Sequence, residues 1–279
     1  MADDVYALVE TPRFSLRRVV TDTFETFSRS FLRLLAIVLI LGVPLFVWLI
    51  LGGEKMLLRF AATAEGSGSG FDPAALMTGG LLWLIGLAIH AAVTDAAFQD
   101  LLGEEGDLLQ SLARALVVAP VLIAVGFFVA IVFGMAVFMI ALASGLITRV
   151  IHFSFGLAFL GGGLFGLAAL MVQWWVAIPA IVVEGAGPIE CFRRSARLVA
   201  GSRWKVFALV TIVYLPEIAV SIILLLMTEA VGPVVVAVLN IILSGLFITF
   251  NTVMTVMIYG HLRAIKEGSS TASLAEVFD

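Results

Sequence analysis

A single cysteine, Cys191, leaves the chain without an intramolecular disulfide and without a thiolate cluster for a metal. Histidine is nearly as scarce. His90, His152 and His261 are widely separated, and His90 and Asp95 fall on different faces of a helix, so no metal-ligand set emerges. Charge is the larger deficit: Asp, Glu, Lys and Arg make up 13% of the 279 residues, against about 25% in soluble domains. With 62% hydrophobic residues and a mean hydropathy of +1.15, too few charges exist for a hydrated shell, and the main solvent must be lipid. A net charge of -4 and a pI near 5.4 argue against nucleic acid as a partner. The start, Met1-Ala2-Asp3-Asp4, is acidic where a secretory signal is basic, so the first apolar run is expected to stay in place as a membrane span.

What remains is apolar sequence in long runs. A hydrocarbon core about 30 Å thick needs about 20 helical residues. Runs of that order extend from Leu34 to Leu51, Leu76 to Phe98, Leu116 to Val183, Val206 to Met227 and Val234 to Tyr259. The longest, broken only around Arg149 and His152, has room for two helices or three, and charge placement decides between them. With two, only Lys55, Arg59 and Arg149 of the 16 basic residues lie opposite the rest. With three, the segment Arg193 to Lys205 moves to the wrong face. The positive-inside rule therefore predicts six spans with both termini cytoplasmic, the third and fourth spans being long, tilted or projecting. The first external loop holds the flexible tract Ala64-Glu65-Gly66-Ser67-Gly68-Ser69-Gly70.

A phrase recurs after alternate spans: Gly103-Glu104-Glu105-Gly106, Val183-Glu184-Gly185 and Lys266-Glu267-Gly268, at intervals of about 80 residues. Amphipathic stretches stand before each pair of spans. The first sets Leu16, Val19, Val20 and Phe24 against Arg17, Arg18, Asp22 and Glu25; the second is Asp107 to Leu116, with Asp107 as cap; the third is Pro188 to Val199, with Gly187 as cap. The pattern predicts an all-α polytopic protein. Its six transmembrane helices form three pseudo-repeated hairpins, each preceded by an amphipathic interfacial helix, over residues 1–106, 107–185 and 186–268 with a cytoplasmic tail at 269–279. The basic faces, through Arg17, Arg18, Arg193, Arg194 and Arg197, would attract anionic headgroups by roughly 1 kcal/mol per residue.

The span end Trp175-Val176-Ala177-Ile178-Pro179-Ala180-Ile181-Val182-Val183, the helix Cys191-Phe192-Arg193-Arg194-Ser195-Ala196-Arg197-Leu198-Val199 and the closing Leu262-Arg263-Ala264-Ile265-Lys266-Glu267-Gly268 carry a resemblance. In layout and in these phrases the chain resembles bacterial membrane proteins related to the non-catalytic membrane domain of glycerophosphoryl diester phosphodiesterases. The resemblance implies a multi-pass protein of a bacterial inner membrane and supplies no catalytic residue, because the phosphodiesterase chemistry resides in a separate cytoplasmic barrel.

Polar residues within the spans are the remaining candidates for chemistry. Glu217, beside Pro216, lies about 18 Å from Lys205 along a helix, and Asn251, Gln173 and His90 fall at comparable depths, making a candidate midplane layer. Two roles are open to Glu217: a proton or cation site lined by His90, Gln173 and Asn251, or a protonated acid hydrogen-bonded to a neighbouring helix. Gly161-Gly162-Gly163-Leu164-Phe165-Gly166 matches a dinucleotide fingerprint but lies inside an apolar run; close helix packing through Gly162 and Gly166 is the expectation. Cys191 reads as inert, and Trp174 and Trp175 as packing or interface anchors. No nucleophile has a base beside it. The expectation is a non-enzymatic, cofactor-free membrane protein that organises lipids, a membrane-protein partner or its own copies at the cytoplasmic face. The alternative is a transporter or channel for a small solute or ion built around Glu217.

Overall fold

The computed structural model describes residues 14–48, 73–104 and 107–267. Their helices, in chain order, are α1 (Leu16–Arg29), α2 (Phe31–Trp48), α3 (Pro73–Leu102), α4 (Leu108–Val150), α5 (Phe153–Trp174), α6 (Ala177–Glu184), α7 (Glu190–Val199), α8 (Arg203–Leu226), α9 (Thr228–Val231) and α10 (Pro233–Glu267). No strand occurs among the described residues. Among the described residues, five helical segments are long and apolar enough to cross a membrane, and a sixth if α1 and α2, bent by 71°, form one broken span. The protein is an all-α polytopic membrane protein. The tract from Ala64 to Gly70 and the last residues of the first span lie outside the described residues.

The long apolar stretch turns where its polar interruption predicts. α4 ends at Val150, and His152 adopts an extended conformation whose Nδ1 accepts the Ser154 N–H at 3.2 Å, capping α5. The two helices then pack antiparallel, with Ser144 Oγ donating to the Gly156 carbonyl at 2.7 Å. Close approach runs through Gly156 and Gly163, where an added Cβ would meet Thr148 and Ile140 respectively. Gly162 and Gly166 face open space, so the expected packing through them is corrected: they lie off the α4-facing side of α5. At about 1.5 Å per residue, the 43 residues of α4 extend about 65 Å, roughly twice the hydrocarbon thickness.

The second amphipathic stretch is not a separate element. Asp107 caps it as expected, its Oδ1 accepting the Leu109 N–H at 3.0 Å, but Leu108 to Leu116 continues unbroken into α4 because no Gly or Pro intervenes before Pro120. The third stretch begins later than its sequence suggests. Pro188 and Ile189 form a turn, and helix α7 starts at Glu190 with the Cys191 N–H on the Gly187 carbonyl at 3.0 Å.

Helix α6 ends at the Glu-Gly phrase for a physical reason. Gly185 takes φ 68°, a left-handed conformation that costs glycine little, and the Ala186 N–H returns to the Ala180 carbonyl at 3.2 Å. Arg114, from the start of α4, donates twice to the carbonyl of Val182 (2.7 and 3.0 Å), placing a cation at the negative end of α6.

The core lies toward the end of the bundle that carries most of the basic residues. There α3 presents a fully buried small face, Ala91, Ala92, Ala96 and Ala97, and α10 is buried continuously from Asn251 to Tyr259. α1 lies across α10: Phe24 and Phe27 stack at 5.0 and 5.4 Å from Phe250, and Asp22 meets His261 at 2.7 Å. Lys205 holds the Phe14 carbonyl at 2.8 Å, and Lys266 the Ala200 carbonyl at 2.7 Å.

Candidate functional site: an intramembrane cavity

α3, α4, α5, α6, α8 and α10 surround a cavity of about 480 Å³, with Phe192 of α7 at its edge. By helical rise, Tyr214 and Trp175 lie about 14 Å from the charged residues at the basic ends of their helices, and Asn251 about 18 Å. The cavity is therefore near mid-membrane. Its volume falls in the range of pockets that enclose small organic ligands, about 300–1,000 Å³. Most of the wall is apolar and aromatic: Trp83, Phe133, Trp174, Leu122, Val125 and Ile178 among others. Among the described residues, no Asp, Glu, Lys or Arg lines it.

One wall is polar. His90 and Thr94 sit one helical turn apart on α3, facing Asn251, Thr252 and Thr255 of α10 and Tyr214 of α8. Thr252 Oγ1 donates to the Ile248 carbonyl at 2.7 Å and lies 2.6 Å from His90 Nδ1. A hydroxyl has a single proton, so His90 donates from Nδ1 and its Nε2 is left as an acceptor. Asn251 Nδ2 donates to Tyr214 Oη at 3.1 Å, and Asn251 Oδ1 is buried without a partner. Thr94 Oγ1, in a residue 0% exposed, is likewise unpartnered. Thr255 is satisfied on both sides, donating to the Asn251 carbonyl at 2.8 Å and accepting from Trp175 Nε1 at 3.1 Å. Buried polar atoms without partners each cost about 1–3 kcal/mol, and two of them belong to residues that line this one cavity.

Of the four residues expected in a midplane layer, the structure brings His90 and Asn251 together. Gln173 is separate: it borders a smaller pocket of about 220 Å³ with Phe165, Arg203 and Trp204 on the other side of α5. Glu217 is not part of the cavity wall. Tyr214 occupies the cavity-facing position of α8, and Glu217, three residues on, is turned to an adjoining face where it is partly exposed and makes no hydrogen bond or ion pair with a described residue. Trp174 and Trp175, expected as packing or interface anchors, pack against Phe128, Phe133, Phe192 and Tyr214 and also line the cavity. Thr94, Tyr214, Thr252 and Thr255 were not singled out from sequence, although His90/Thr94 and Asn251/Thr255 are i,i+4 polar pairs within apolar runs, a signal of a shared helix face.

The charged end is tied together by one guanidinium. Arg194 of α7 makes a forked contact to Glu184, 2.7–3.1 Å, and pairs with Glu267 of α10. Glu267 also takes Arg263 at 3.1 Å, and the Tyr259 hydroxyl donates to Glu184. The hydrogen bonds to Glu267 and Glu184 hold the Arg194 guanidinium above its ordinary range despite some desolvation. Two glutamates of the recurring phrase thus meet on one arginine; Glu105 and Gly106 of the first phrase lie outside the described residues. Arg194 is committed to this clamp, so among the five arginines expected to face headgroups it is the exception. Arg17, Arg18, Arg193 and Arg197 are exposed.

Cys191 is buried, its thiol donating to the Pro188 carbonyl at 3.2 Å, and burial pushes its pKa up to about 11. No group of three or more His, Cys, Asp or Glu among the described residues could hold a metal ion.

No curated protein and no solved structure matches the chain. A family model described as a domain of unknown function, DUF7847, matches residues 15–264, nearly the full length of the described bundle, and the chain belongs to that family.

Proposed function

We propose that this is a non-enzymatic, multi-pass protein of a bacterial inner membrane that holds a lipid-like ligand in its central cavity. Both termini face the cytoplasm, where Arg17, Arg18, Arg193 and Arg197 contact anionic headgroups. The observation that carries this reading is the two-sided cavity: a polar wall with unsatisfied Thr94 Oγ1 and Asn251 Oδ1, facing an apolar and aromatic one. Such a surface complements an amphipathic molecule, not a hydrated ion. Transport centred on Glu217 has less support, because that carboxyl is outside the cavity wall. Kinship with the membrane domain of glycerophosphoryl diester phosphodiesterases, and a threefold repeat bound through its Glu-Gly phrases, are part of the same proposal; the meeting of Glu184 and Glu267 on Arg194 supports the second.

The test is retention of a copurifying lipid. Native mass spectrometry of protein released from mild detergent is expected to find one lipid bound per chain, and Gly86→Leu is expected to lose it. Gly86 lines the cavity, and a Cβ there meets nothing closer than Ile248 Cδ1 at 4.0 Å, so the larger side chain has space to fill. Equal retention by the variant would place the lipid elsewhere. Orientation is checked separately: a cysteine in place of Arg193, in a Cys191→Ser background, should resist impermeant maleimide added outside intact cells.

A further inference from the structure

The chemistry left open on the polar wall specifies the head of the ligand, an inference that rests on the ligand-binding reading above. Four groups there keep hydrogen-bonding capacity that the protein does not use. His90 Nε2 and Asn251 Oδ1 accept; the Tyr214 hydroxyl, which already accepts from Asn251, has a proton left to donate; Thr94 Oγ1 can do either. If the Asn251 amide is turned the other way, its oxygen and nitrogen exchange roles, and the wall still asks for both a donor and an acceptor. A hydroxyl supplies both from one atom.

Charge is the second constraint. A carboxylate or phosphate in this cavity would be buried near mid-membrane without Lys or Arg beside it, at a cost far above that of burying a neutral hydroxyl. Three arginines near the basic end of the bundle are held elsewhere: Arg114 on the Val182 carbonyl, Arg194 on Glu184 and Glu267, and Arg263 on Glu267. The opposite wall, with Trp83, Phe133 and Trp174, suits a hydrocarbon chain.

We propose that the cavity binds an uncharged, hydroxyl-bearing lipid of the acylglycerol or long-chain alcohol type, and that it discriminates against fatty acids and phospholipids. Thr94 and Asn251 take the hydroxyl, with His90 and Tyr214 as further partners.

The experiment uses the full chain in phosphatidylcholine nanodiscs and the fluorescence of Trp83, Trp174 and Trp175, quenched by acyl-brominated probes at low mole fraction. Dioleoylglycerol, oleic acid and phosphatidic acid are compared. Saturable quenching by the diacylglycerol, at least about ten-fold tighter than by either acid, is expected, which corresponds to the loss of a single hydrogen bond or more. Gly86→Leu should abolish it. Thr94→Val, which keeps the side-chain shape, should weaken it about ten-fold, and so should Asn251→Leu. Equal or tighter saturable quenching by oleic or phosphatidic acid would overturn the neutral-head inference while leaving ligand binding intact. Absence of saturable quenching by all three, or saturable quenching unchanged in Gly86→Leu, would overturn both.

Discussion

The two halves of the α4–α5–α6 hairpin are made of the same kinds of residue yet live in different surroundings. Toward the basic end, Val172, Val176, Ala177, Ala180 and Ile181 are buried against neighbouring helices. Toward the turn, Phe153, Phe155, Leu157 and Phe159 are 45–65% exposed, and Gly156 and Ser144 mark the buried seam. In water such a surface would be an aggregation liability; in a bilayer it is the wetted surface of the protein. Hydropathy cannot distinguish these cases, since lipid tails and protein cores are equally apolar. The near half is different in having partners: small alanines on α3, a charge clamp, a left-handed glycine cap and the cavity.

Chemical reactivity should separate the halves most strongly. Cys191, on α7 packed against the near half, has its pKa raised from 9.0 to about 11 by burial and carries about 100-fold less thiolate at pH 8 than an unperturbed thiol. Its maleimide labelling should be correspondingly slow in the native protein, rise about ten-fold per pH unit below pH 11, and become fast in dodecyl sulfate. A cysteine in place of Ile151, which is 65% exposed at the far turn, should label readily. Equal rates would remove the distinction.

Stability effects follow in decreasing order. Arg194→Met, which leaves the two carboxylates Glu184 and Glu267 to share Arg263 alone, should cost about 2 kcal/mol, seen as a lowered thermal midpoint of tryptophan fluorescence in detergent. Adding Glu267→Gln should recover part of that loss, since it removes one of the stranded charges. Gly163→Val brings a Cβ within 2.8 Å of Ile140 and should cost about 1.5 kcal/mol in the far half. Thr94→Val, by deleting an unsatisfied buried hydroxyl, should stabilise the lipid-free protein by about 1 kcal/mol, seen as a raised midpoint, while weakening ligand retention. Gly162→Ala, with open space around its Cβ, should change stability by no more than about 0.5 kcal/mol.

Much of the architecture was legible because it rests on local chemistry. The turn at His152 follows from the sole strong polar interruption in a long apolar stretch, and the cap at Asp107 from a short acceptor ahead of a helix. The candidate site was legible only in half. Depth along a helix can be counted from the nearest charge, and His90 and Asn251 were found that way. Which azimuth of the helix faces a cavity depends on how the helices pack, so Glu217 and Gln173, at comparable depth, were grouped with them although they point elsewhere. The threonines and Tyr214 were overlooked because each alone is tolerated anywhere in a span; only the i,i+4 pairing sets them apart. Arg194 differs from Arg193 and Arg197 only in which carboxylates lie opposite, a tertiary fact.

Photocrosslinking most directly tests the claim that the cavity, and not the lipid-facing surface, is the binding site. A diacylglycerol bearing a diazirine on one acyl chain, incorporated at low mole fraction with purified protein, should label peptides containing Trp83 to Thr94, Leu122 to Phe133 and Ile248 to Thr255. Unmodified diacylglycerol should compete the labelling away. Labelling spread along the exposed faces of the far half of the hairpin, from Met135 to Phe165, and indifferent to competitor, would contradict it.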